Sequence, residues 1–300
     1  MNNNTLKHFL EFSTYTYPGL YQEKLKKELP DNIREIGLLV RKGLVHRSTM
    51  EMGNVGTNTD MRFGDMTQMP WWRQPEDDYL VTASAMLAEL YRRDPRGFVQ
   101  DRAPENKLVL TCRFTAVLMA SILKSKGIPT RCRAVHHYAP YFDDSLGKVS
   151  ADHWINQYWN KDENRWVTID VDGSLSVIDK QYDPYDMPVS SYDFPADAWL
   201  AIKNKEVDPN YFYNGDGTRG AIVVLWSLIY DFHSLMNDEI LYTHIPSFGQ
   251  PERFQNLNEE EKSKIDNLAH LMQKPDENFD ELKKIWESDK DFRLLRGGLL

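Results

Sequence analysis

The sequence predicts an α+β fold, and three observations predict it. An apolar helical pattern opens at Cys112, three strand-like stretches follow it directly, and further helical patterns flank this middle third on both sides. Helix, strand and hairpin in that order describe antiparallel strands packed on a buried helix.

In chain order, Leu25 to Val45 shows helical spacing at Leu29, Ile33, Ile36, Leu39 and Val40. Gly53 to Pro75 is rich in Gly, Asn, Asp, Met and Pro and reads as a loop. Asp77 to Arg93 returns to helix through Leu80, Ala83, Leu87 and Leu90. Thr111 is placed to cap the next helix, whose Phe114, Val117, Leu118, Ser121 and Ile122 share one face; Met119 and Leu123 widen the stripe, so most sides are buried. Gly127 stops it, and Ile128-Pro129 forbids its continuation.

The strands are Thr130 to Tyr138, His153 to Asn160 and Arg165 to Val171, with the turn Lys161-Asp162-Glu163-Asn164 between the last two. Beyond a Pro- and Tyr-rich connection, helices are expected at Ala196 to Lys203, Ala221 to Asn237, Glu259 to Gln273 and Phe279 to Glu287. The chain thus divides into a helical N-terminal part at 1–104, a core at 105–178 and a helical C-terminal extension at 179–300.

Composition removes several classes of function. Thirty-six Lys and Arg against 45 Asp and Glu leave a net charge of −9, a poor match for a partner bound through phosphate contacts, so no nucleic acid is expected. Two cysteines in 300 residues cannot build a disulfide framework. The opening residues show no basic segment running into an apolar one, and the longest apolar run, Ala221 to Tyr230, is about half the ~20 residues that span a bilayer. The expectation is a cytoplasmic location, no membrane association and free thiols. No cofactor and no metal are expected, and the sequence does not define an oligomeric state.

One thiol is placed for chemistry. Cys112 falls in the first turn of its helix, where free backbone N–H groups and the dipole favour the thiolate. Hairpin register supplies the rest. An index sum of 323 sets His153 opposite Asp170, whereas a sum of 325 sets it opposite Asp172 with Asp170 as a diagonal neighbour on the same face. An even sum would surround His153 with Val167, Ile169 and Val171 instead. Cys112 as nucleophile, His153 as acid and base, and Asp170 as orienter form a generalised triad, with the Cys112 N–H as an oxyanion donor.

Other residues carry weaker readings. Cys132 lies mid-strand and reads as an inert core thiol. His136 and His137 alternate faces, and a zinc site built from them with His153, Asp152 or Cys132 lacks the usual ligand spacings. Asp172 is a stand-in for Asp170 or the start of a turn. Trp71, Trp72 and Trp154 are candidates for lining a substrate cleft or donating an indole N–H to the oxyanion, with packing as the alternative for the first two. Met50, Met52, Met61, Met66 and Met69 either line an adaptable apolar site or fill gaps. Asp231, His233, Asp238 and Glu239 read as solvated or structural, the charged C-terminal helices as a solvated face, and Arg296 to Leu300 as a loose tail.

The blocks TCRFTAVLMASILKSKGIPTRCRAV, ADHWINQYWN and RWVTIDVDG together resemble the transglutaminase-like superfamily: a Cys opening a helix that ends in Gly-Ile-Pro-x-Arg, a His strand, and a Trp-x-x-x-Asp strand. The resemblance covers residues 108 to 173. It implies a papain-like core with helical additions at both ends, as in bacterial members, and it matches Cys112, His153 and Asp170 to the family's three site residues. It further implies thiol chemistry on the amide bonds of a peptide, protein or small amide through an acyl-thioenzyme. Hydrolysis is favoured; acyl transfer to an amine and a non-catalytic binding module are the alternatives.

Overall fold

The computed structural model describes residues 3–47, 70–73, 75–138, 149–173 and 182–293. The chain forms two compact units that interleave along the sequence: Leu6–Cys132 with Trp154–Pro188, and Met1–Thr5 with Arg133–His153 and Val189–Leu300. Helices and small sheets make the architecture α+β.

In the first unit, helices α1 (Gln22–Glu28) and α2 (Ile33–Lys42) lead into strand β1 (Leu44–His46), replacing the single helix expected over Leu25 to Val45. Pro30 is one cause, because Leu29 before it is forced into extended backbone. The Asn32 side chain then accepts the Glu35 N–H and starts a new helix. After Gly43 the chain runs extended and pairs in parallel with β2 (Leu108–Leu110). The helix expected over Asp77 to Arg93 is likewise two, α3 (Glu76–Tyr79) and α4 (Ala83–Arg93), since Thr82 caps α4 by accepting the Ala85 N–H.

Helix α5 (Cys112–Ser125) is the centre of this unit, and each of its residues is buried. It packs against α1, α2 and α4. Thr111 occupies its N-cap position but makes no side-chain capping bond, contrary to the expectation. At the other end Gly127 has φ +78°, its N–H reaches the Lys124 carbonyl, and the Ile128 N–H reaches that of Leu123. That is the paired closure a left-handed residue permits, and Ile128-Pro129 then leads away.

Strands β3 (Thr130–Tyr138), β4 (Ser150–Asn160) and β5 (Arg165–Ile169) follow in sheet order, and the chain crosses between the units within β3 and again within β4. β4 and β5 are antiparallel, with Asn156 opposite Ile169 and Trp159 opposite Trp166, and Lys161 to Asn164 form the loop. Asn164 takes φ 51° there, and the Asn160 side chain accepts the N–H groups of Asp162 and Glu163. Asn156 on β4 donates 2.9 Å to the Ala116 carbonyl of α5, a bond that seats strand on helix.

In the second unit, β6 (Phe212–Tyr213) pairs with Ser150–Ala151 of β4 in parallel, so the all-antiparallel expectation misses two parallel pairings. Helix α6 (Pro195–Lys203) packs on α7 (Ala221–Leu235) and α8 (Glu259–Met272), and α9 (Phe279–Ser288) packs on α8. These four lie within two residues of their expected bounds. Ala198, Phe212 and Val224 form a buried cluster there. Among the described residues no helix is long and apolar enough to cross a membrane.

Candidate functional site

Cys112 is 7% exposed and begins α5, with the Thr111 carbonyl already accepting the first helical N–H groups. A chemical neighbour of Cys112 is set by β1. The parallel register puts His46 beside Leu110, two residues before Cys112, and hydrogen bonding with Cys112 is among the causes that raise the His46 pKa. His46 Nε2 lies 3.7 Å from Asp172 Oδ2, and Arg41 Nη1 lies 3.9 Å from Asp172 Oδ1. Burial disfavours a charged His46 ring. Asp172 and Cys112 nevertheless outweigh burial and the Arg41 charge, so the His46 pKa lies above its ordinary value.

Asp170 is 6% exposed in the same unit. β5 ends at Ile169 rather than at the expected Val171 because the Asp170 N–H turns to the Pro184 carbonyl at 2.8 Å. The Asp170 carboxylate accepts the Gly173 N–H, also at 2.8 Å. The two aspartates considered from sequence therefore have separate partners within one turn: Gly173 for Asp170, and His46 with Arg41 for Asp172.

The hairpin register is the odd one with sum 325. His153 belongs to the second unit, early in β4, while Cys112 and Asp170 belong to the first. Beside it, burial pushes the Asp152 carboxyl up to about 6, although the Gly215 N–H and the His153 charge favour the carboxylate. Tyr213, two residues before Gly215, stands opposite Ala151 in the β6 pairing.

The remaining candidates separate by burial. Trp154 is 2% exposed and is a core residue of the first unit, whereas Trp72 is 58% exposed. Trp71 opens the short turn Trp71–Arg73, and its side chain, like that of His137, lies outside the described residues. So do the five methionines at 50–69 and the tail from 296. Cys132 is fully buried and receives the Asn156 amide at 3.6 Å. His136 is buried edge-on to Phe212, and burial alone pushes its pKa down to about 3, so the ring is neutral.

Asp231 and His233 are structural. Asp231 takes two bonds from Arg133, at 2.7 and 2.8 Å, while His233 bridges Asp238 and the Phe292 carbonyl. Among the described residues no three His, Cys, Asp or Glu side chains are grouped to hold a metal ion.

His46 and Arg41 are the site residues that sequence reasoning missed. The available signal was Gly43 after Arg41-Lys42, a helix ending, followed by the strand-forming Leu44-Val45. No family model, no curated protein and no solved structure matches this chain.

Proposed function

We propose that this chain is a thiol-dependent enzyme that acts on amide or peptide bonds through an acyl-thioenzyme, on a transglutaminase-like core of papain type. The observation that carries the proposal is the Cys112 thiol in the first turn of a fully buried helix, beside the His46 imidazole with the Asp172 carboxylate behind it. Helix N-terminus and imidazole both favour thiolate, the reactive form of a cysteine.

In the proposed reaction Cys112 Sγ bonds to the carbonyl carbon, and the Cys112 N–H faces the developing oxyanion. The C–N bond then breaks, and the amine leaves with a proton from an imidazolium at the site. Water attacks the thioester, its proton passes to the imidazole, and the C–S bond breaks to release the acid. A peptide, a protein or a small amide fits this chemistry. Hydrolysis is the favoured outcome, and transfer to an amine would use the same acyl-enzyme.

The test is intact-mass measurement after brief iodoacetamide treatment near pH 6, on wild type and Cys112→Ala. An ordinary thiol, with a pKa of about 8.5, is well under about 1% thiolate at that pH. Fast single labelling that Cys112→Ala abolishes supports the proposal. Slow labelling of Cys112, no faster than that of a small free thiol, would leave only a binding module that keeps the fold.

A further inference from the structure

The functional reading does not say what the cluster beside the thiol does. His46 on β1 pairs with the residue two before Cys112, Asp172 in the turn after β5 lies 3.7 Å from His46, and Arg41 in the last turn of α2 lies 3.9 Å from Asp172. Asp172 lies between the His46 and Arg41 side chains, with Arg41 almost wholly buried. A histidine with only a packing role beside a buried arginine would be held neutral by burial and by the like charge. Here the Asp172 carboxylate is interposed between ring and guanidinium. Arg47, next in sequence, points elsewhere, to Asp77 at 3.0 Å and Asp78 at 3.8 Å.

We infer that His46, braced by Asp172, is a catalytic imidazole of the Cys112 site and holds the thiol as a thiolate–imidazolium pair in the resting protein. The inference rests on Cys112 being the nucleophile. The S–H proton moves to the His46 ring, Asp172 stabilises the charge that forms there, and Arg41 fixes Asp172. His46 keeps the nucleophile ionised before substrate arrives.

Three features favour a built arrangement over a chance contact. The parallel β1–β2 register fixes His46 beside the residue that leads into the helix. Asp172 follows Asp170 by two residues, so the turn closed on the Gly173 N–H positions both carboxylates together. Each partner of the ring comes from a different element, which a local sequence accident would not produce.

The experiment is the pH profile of Cys112 alkylation by iodoacetamide in the full-length protein, between about pH 4 and pH 10, for wild type, His46→Gln and Asp172→Asn, with thermal melts checking that each variant is folded. Wild type should react with an inflection well below the ordinary thiol value of about 8.5. His46→Gln should move the inflection up toward that value and slow the reaction near pH 6 at least about tenfold. Asp172→Asn, which keeps the imidazole and removes its counter-charge, should shift it in the same direction by less. Should His46→Gln fail to fold, Asp172→Asn decides alone by that shift. A low wild-type inflection that neither variant moves overturns the role of His46. An ordinary wild-type inflection overturns the underlying reading of Cys112, so the two failures are distinguishable.

Discussion

Gly173 fixes the Asp170 carboxylate by two means, and a single methyl separates them. Its N–H donates to Oδ1 at 2.8 Å, while a Cβ at this position would lie 2.2 Å from Oδ2, closer than any real contact. Gly173→Ala therefore forces the carboxylate to rotate away from the N–H that holds it. The cost in stability is about 1 to 3 kcal/mol, as for other overpacked sites. Its alkylation profile at Cys112 should depart from wild type in the same direction as that of Asp170→Asn. A wild-type profile in Gly173→Ala, in a protein shown to be folded, would mean that Asp170 does not need this turn. At this scale much was legible. Cys112 declares itself by opening a helix, and the aspartates by closing a strand, because both are facts about neighbours in sequence. His46 does not, since its link to Cys112 exists only once two three-residue strands far apart in the chain have paired.

At the level of elements, the position of β2 decides whether His46 and Cys112 meet, and β2 is held by a buried carboxylate. Glu76 in α3 is fully buried, accepts the Val109 N–H at 2.8 Å, and pairs with Arg73 and with Arg93 at 2.8 Å. Glu76→Gln preserves the shape but leaves Arg73 and Arg93 with less countercharge in a desolvated setting. Removing one partner of such a network costs about 3 to 5 kcal/mol. Urea unfolding should register that loss, and the Cys112 alkylation inflection should rise as the β1–β2 pairing loosens. An unfolding free energy within about 1 kcal/mol of wild type would place the anchoring of β2 elsewhere. Helices α6 to α9 could be read almost to the residue because each carries its own apolar period and its own stop. The region from 22 to 46 could not, because its apolar spacing runs on through Pro30 and Gly43 while local backbone chemistry breaks it.

The molecule as a whole is organised by a chain that leaves each unit and returns, so the linear parts at 1–104, 105–178 and 179–300 and the compact units describe different things. Linear reading sees where patterns change, and compactness depends on which strands cross from one unit to the other. β4 is such a strand, and Asp152 lies on it just before the crossing. An aspartate titrates near pH 3.9 in an unfolded chain, whereas burial raises Asp152 to about 6 in the native protein. Between those two values the native state holds a proton that the unfolded state has released. Stability attributable to this group is therefore present below about pH 4, falls as pH rises through the window, and stays at its lower level above about pH 6. The sign is opposite to that of a salt-bridged carboxylate. Asp152→Asn keeps an oxygen to accept the Gly215 N–H and removes the charge, so it should melt higher than wild type at pH 7 and at the same temperature near pH 4. Taking the difference between variants cancels the titrating groups that do not interact with Asp152. Thermal melts at intervals from pH 4 to pH 8 measure it, and a gap that does not change with pH would show that Asp152 ionises in the native protein as readily as it does in the unfolded chain.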